Sequence, residues 1–325
     1  MIAPAVLILL AVILAVPAPV LLRRSTWLER SPRIGIAAWQ ALSASLVLTV
    51  LLAGLALAVP EIPWTTNLAE FFRACAMALR ERYATPGGAI ISATGAIAAL
   101  AVLARVGYSL TRGLVGAARN RSRQLQALAI IARPHRDYDA VVVDHSSAAA
   151  YCLPGRRRQV VLTSAALTAL DESQLAAVLA HEQAHLHGHH HLILAAADAL
   201  QHAFPGVPAF REARIALSSL VEMLADDAAA RRSDRLTVAT ALVRLAEHGL
   251  TPVAALGAGG DSAVTRVRRL VRPARPLGTG KTIAAVLATG ALLALPLFLA
   301  IAPASAAGTM PPCQADTSTS TAMHT

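Results

Sequence analysis

The residues best suited to chemistry in this chain lie in one pentapeptide, His181-Glu182-Gln183-Ala184-His185. On a helix, residues four apart project from the same face, so the imidazoles of His181 and His185 can hold one metal ion while Glu182 reaches a water beside it. Those residue types in that spacing suit metal-assisted hydrolysis, with Glu182 as the catalytic base. A catalytic zinc takes three protein ligands and keeps one position open. The third ligand is expected from Glu222, which Asp226 follows one turn later on the same face of an otherwise apolar stretch. Buried carboxylates without partners are costly, and a metal ion with a ligand histidine would account for both acids. Asp226 is then expected to accept the ring N–H of a ligand histidine and so fix its tautomer. Asp227 and Glu212 are the competing acids.

Two further side chains are candidates for stabilising an oxyanion or contacting substrate: His190, five residues past His185, and Tyr151. A solvated histidine-rich helix end and core packing are their respective plain alternatives. The histidines at 187 and 189–191 also suggest metal transport or sensing, but no predicted membrane span has a His, Asp or Glu in its core. Gly278-Thr-Gly-Lys-Thr282 looks like the end of a phosphate loop. It lacks the first glycine and the preceding strand, and nucleotide binding is rejected.

The elements that must position these residues are legible around them. Asp171 and Gln174 have capping-box spacing, so a helix should start there and run through Leu175, Val178 and Leu179 into the His-Glu pair. Before it, Ala140 to Val143 and Gln159 to Leu162 read as short strands flanking a Pro154-Gly155 turn. Pro205 and Pro208 punctuate the connection to a second helix, about 209–232, and Gly249 ends a third. The expected fold class is an α+β domain, mainly helical with a small sheet.

Composition places that domain in a membrane protein. Of 325 residues 55% are hydrophobic and 15% charged, with a mean hydropathy of +0.54. Apolar runs near 1–22, 34–59, 88–108 and 282–303 can each cross about 30 Å of hydrocarbon as helices. The domain plan is therefore three spans in 1–108 with a short outer amphipathic helix around Leu68 to Leu79, a polar domain over 109–281, a fourth span, and a disordered tail from 304 to 325. The net charge of +10 does not mark nucleic acid as the main partner. Three membrane-flanking patches, at 23–33, 105–123 and 266–281, carry +3, +5 and +6 and fall on one side of a four-span layout. By the positive-inside rule the 109–281 domain is cytosolic and both termini are external. Cys75, Cys152 and Cys313 form no metal-binding pair. Cys75 and Cys313 would both be external and could bridge.

Taken together, Tyr151-Cys-Leu-Pro-Gly155, Val161-Leu-Thr-Ser-Ala-Ala-Leu167, Leu175 through His185, and Glu222-Met-Leu-Ala-Asp226 resemble the BlaR/MecR family of membrane zinc peptidases, as does the three-span, domain, one-span layout. The resemblance implies a zincin-like fold of the gluzincin type and one zinc held by His181, His185 and Glu222, with Glu182 as general base. It also implies a protein or peptide substrate in signal transduction. Only about 22 residues follow the last span, so direct β-lactam sensing is not expected. An external signal would arrive through the outer loop or a separate membrane sensor. The HtpX-like quality-control peptidases share the His-Glu-x-x-His and Glu-x-x-x-Asp pieces and are the second enzymatic reading. A membrane scaffold that keeps zinc for stability is the non-enzymatic one. An extended substrate is expected to pair with the strand at Gln159 to Leu162.

Overall fold

The computed structural model describes residues 2–58, 73, 76–77, 80, 87–136, 138–155, 159–249, 256–272 and 276–307. The expected outer amphipathic helix lies almost wholly outside the described residues, as do Cys75, Cys313 and most of the tail.

Helices dominate. α1 (Ile2–Ala15) and α2 (Pro17–Arg23) are separated at Val16, where Pro17 and Pro19 cannot donate to the preceding turn. α3 (Trp27–Arg30) leads into α4 (Pro32–Ala58), and α5 runs unbroken over Gly88–Ile131. Four helical stretches among the described residues are long and apolar enough to cross a membrane: Ala3–Arg23, Pro32–Ala58, Gly88–Leu128 and Thr279–Ala300. The last belongs to α12 (Thr279–Ala307). With 44 residues α5 spans roughly 66 Å, about twice the hydrocarbon thickness, so its arginine-rich second half continues as one rod out of the apolar stretch. The apolar run at 88–108 and the basic patch at 105–123 thus belong to one element.

α4 and α5 meet where both have glycine. A Cβ on Gly95 would lie 2.6 Å from the Gly54 carbonyl oxygen, and one on Gly54 would lie 2.8 Å from that of Gly95. Only hydrogen at both positions allows the backbones this close, the small-residue contact that replaces hydrophobic drive between spans. Gly95→Leu is expected to destabilise the protein by about 1–3 kcal/mol through overpacking, seen as a lower unfolding midpoint in detergent. Gly113→Ala, where a Cβ meets nothing within 4 Å, is the control and should not lower it.

A four-stranded sheet follows: β1 (Arg133–Pro134), β2 (Ala140–Val143), β3 (Ala150–Leu153) and β4 (Gln159–Thr163), in the order β1-β2-β4-β3. β2 and β4 are parallel, and the other pairs are antiparallel. β4 is thus interior, paired on both sides, which corrects the expectation that a substrate pairs with Gln159 to Leu162. The free edge beside the metal-site helix belongs to β3.

After α6 (Ser164–Ala169), Asp171 caps α7 (Glu172–His187) with the full capping box: its side chain accepts from the Gln174 N–H and the Gln174 side chain from that of Asp171. Such a cap contributes about 1 kcal/mol. α7 buries Leu175, Val178 and Leu179 against Val160 and Leu162 of the sheet, each apolar side chain contributing on the order of 1.5–3 kcal/mol. Then come α8 (His190–Ala203), α9 (Pro208–Ala229), α10 (Arg235–His248) and α11 (Leu256–Val271).

The polar segment does not stand apart from the spans. Phe210, Leu217, Leu220 and Met223 of α9 share one core with Leu10, Leu14, Trp39, Leu42 and Leu46 of α1 and α4. Ser109 of α5 donates to the Ala199 carbonyl, and Arg105 donates to that of Ala203 at the C-terminal end of α8, where a cation also meets the negative end of the helix dipole.

Candidate metal centre

α7 presents His181, Glu182 and His185, and α9 crosses it with Glu222 and Asp226. Glu222 and Asp226 lie on one face of α9 because they are four apart. Ligand atoms of His181, His185 and Glu222 all lie within 4.8 Å of one another. The two Nε2 atoms are 3.1 Å apart, His181 Nε2 is 3.5 Å from Glu222 Oε2, and His185 Nε2 is 3.4 Å from Glu222 Oε1. A tetrahedral zinc with ligands at 2.0–2.1 Å has ligand–ligand edges of about 3.3–3.4 Å. The three side chains are therefore spaced so that they could hold a metal ion of zinc's size.

Each ligand is held from behind. His181 Nδ1 lies 3.1 Å from Asp226 Oδ1, although its N–H is not aligned for a good hydrogen bond. His185 Nδ1 lies 3.1 Å from His190 Nδ1. When His185 Nε2 offers a lone pair to a metal, its Nδ1–H donates to His190. His190 thus sits behind His185, against the ring nitrogen that points away from the His181–Glu222 cluster. Gly188 leaves room for it, since a Cβ there would stand 2.3 Å from His190 Nε2. Nor does the structure bring Tyr151 to the cluster. Ala150 and Cys152 face α7, and strand alternation sends Tyr151 to the opposite face of β3 with Leu153.

Two neighbours escaped the sequence reading. Arg266 of α11 forks onto Asp226, with Nε to Oδ2 at 2.8 Å and Nη2 to Oδ1 at 2.7 Å, and its Nη1 reaches Glu222 Oε2 at 2.9 Å. Arg269 forks end-on to Asp227 through Nη1 and Nη2, both at 2.8 Å. Two arginines counted as membrane-flanking charge are therefore committed to carboxylates. The adjacent acids Asp226 and Asp227 were the signal that could have pointed to them, since two buried or half-buried carboxylates demand cations. The second neighbour is Cys152, whose thiol faces Glu182; burial and the Glu182 charge push that thiol up to about 12, so it remains neutral.

Electrostatics separate the titrating groups. Burial raises the Glu182 carboxyl, against the lowering effect of His181 and the Cys152 thiol. Burial pulls His181 down, but the carboxylates of Asp226 and Glu222 beside it prevail and raise it to about 9. His185 is lowered to about 4, chiefly by burial. Glu222 falls to about 2 despite burial, through His181 and Arg266. At neutral pH His181 thus carries a proton in the metal-free site. Loading zinc at pH 6.5 is expected to release about one proton per ion, with the release fading as pH rises through about 9. Calorimetry in buffers of differing ionisation enthalpy measures it, and release near zero would refute the assignment.

A cavity of about 230 Å³ opens beside the cluster. His181, Glu182, Glu222 and Arg266 form its polar end, and Val238, Ala241, Leu242 and Leu245 of α10 its apolar wall. A metal site of this kind, with a buried carboxylate at its edge and a cavity against it, can bind a polar bond and move a proton at it.

Comparison with known proteins agrees with that chemistry. No curated protein and no solved structure matches the chain. Residues 117–210, under a third of the length, match the model of Peptidase family M48. The match takes in α7 with His181, Glu182 and His185 and stops before Glu222. It supports a metallopeptidase of a gluzincin group, a hydrolase, and gives no particular support to the BlaR/MecR family, while the four long apolar helices fit a membrane protein.

Proposed function

We propose that this chain is an integral-membrane zinc metalloendopeptidase that cleaves a cytosolic or membrane-proximal protein in a regulatory or signalling role. The observation that carries this reading is the convergence of His181, His185 and Glu222 on zinc-sized edges with Glu182 alongside, at the mouth of the cavity. Zinc, when bound, supplies Lewis-acid polarisation of the substrate carbonyl and makes water more acidic. Glu182 accepts the proton of the attacking water, holds it in its buried setting, and returns it to the amine nitrogen as the C–N bond breaks. The Cys152 thiol faces that carboxylate. Asp226 and His190 hold the two imidazoles in the tautomers that face the cluster, and Arg266 fixes Glu222. An extended substrate would lie along the free edge of β3, with an apolar side chain toward α10.

A cytosolic location for the domain is supported by the basic residues that flank the apolar helices, including Arg112, Arg119 and Arg123 on α5 and Arg268 and Arg272 after the site. The HtpX-like quality-control reading shares every residue of this mechanism and differs only in substrate.

The test uses the purified full chain in detergent with an unfolded protein substrate. Cleavage should disappear on chelation, return with zinc, and produce internal cuts. Hydrolysis that survives removal of all metal would overturn the proposal. A reporter fused after Arg272 should be cytosolic, and an external one would reverse the proposed sidedness.

A further inference from the structure

The other face of α7 lines a second cavity, of about 570 Å³, between the start of α4, the beginning of α8 and the end of α9. Arg33, Arg231 and Arg232 stand around it with Gln183 and His187, and no carboxylate lines it. All three arginines are exposed, and among the described residues none has an acid within ion-pair distance. Their neighbours differ: Arg214 is paired with Asp198, Arg266 with Asp226 and Arg269 with Asp227. α4 and α8 bring their first turns to the cavity and α7 and α9 their last, so the helix-end charges offset one another and the guanidinium groups set its sign.

Position adds a second constraint. Arg33 is the second residue of α4, which is long and apolar enough to cross a membrane, so the cavity opens at the depth where that helix leaves the hydrocarbon. Ile36, Ile193 and Leu224 supply an apolar wall beside the arginines. Guanidinium groups match phosphate oxygens two at a time, and here they meet a hydrophobic side at head-group level. We propose that this cavity binds a phosphate-bearing anion, in which a phosphodiester of an anionic phospholipid and free inorganic phosphate share the recognised chemistry. Arg232 Nη1 already donates to Gln183 Oε1 at 2.7 Å. An occupant would therefore tie the metal-bearing helix α7 to the first turn of α4.

The binding test is independent of the peptidase reading. The full chain, purified in detergent, is offered phosphatidylglycerol or phosphatidylcholine, and retained lipid is counted by native mass spectrometry, with inorganic phosphate added in a parallel arm. Wild type should retain phosphatidylglycerol in preference to phosphatidylcholine. The double substitution Arg33→Gln with Arg231→Gln should lower that retention about tenfold or more. Arg119→Gln with Arg121→Gln on α5 removes the same charge elsewhere and should leave it intact. Displacement of the lipid by millimolar phosphate would identify free phosphate as an occupant, and resistance would identify the lipid. Equal retention by wild type and the cavity variant, or equal loss in the α5 variant, would overturn the proposal by showing only diffuse surface charge.

Discussion

Glu182→Gln should load zinc as the wild type does and hydrolyse peptide slower by at least the ~10²–10⁴ typical of a lost general base. The amide keeps the side chain's volume beside the Cys152 thiol, but it cannot take up a proton. Neither histidine nor Glu222 changes, so metal content should not move. Glu222→Ala removes a ligand oxygen and should lower zinc affinity and activity together. Asp226→Asn should cost about 10–100-fold in affinity or rate, as expected for a group acting through His181. Metal content and cleavage measured side by side on the three proteins decide the matter. A Glu182→Gln protein that still cleaves at the wild-type rate would sink the mechanism, and a zinc-replete, active Glu222→Ala would place the third ligand elsewhere.

The other large effect is expected at Arg266. Asp226 is 1% exposed, and the guanidinium supplies both of its hydrogen bonds from α11 as well as a contact to Glu222. Arg266→Met would leave the buried Asp226 without its forked partner, a loss of about 3–5 kcal/mol when one member of a buried pair is removed. The end of α11 is held in turn to α10, because Arg235 donates to the carbonyls of Arg269 and Leu270. Arg266→Lys restores charge but not the fork, and should recover only part of the stability. Unfolding midpoints of the two variants at equal zinc occupancy check this. An Arg266→Met protein as stable as the wild type would show that α11 is not part of the site.

Part of this site could be read directly from the chain, because its geometry is local. The i, i+4 pairs His181 and His185, and Glu222 and Asp226, share a face on any helix, and the Asp171–Gln174 capping box announces where α7 begins. The four long apolar helices were equally open to reading, since twenty apolar residues in a row have few other uses. Which side of the strands faces α7, by contrast, depends on register, and that placed Cys152 rather than Tyr151 beside Glu182. β4 as an interior strand is likewise a property of pairing order. His190 lies five residues from His185 in sequence, yet its place behind the ligand depends on the left-handed turn at His189 (φ 50°) that starts α8. Arg266 is the largest omission, forty residues from Asp226 in a basic stretch that composition assigned to the membrane surface. Charge counted along a sequence cannot distinguish a solvated arginine from one that neutralises a buried acid. That distinction arises only when α9 and α11 are packed together and water is excluded between them.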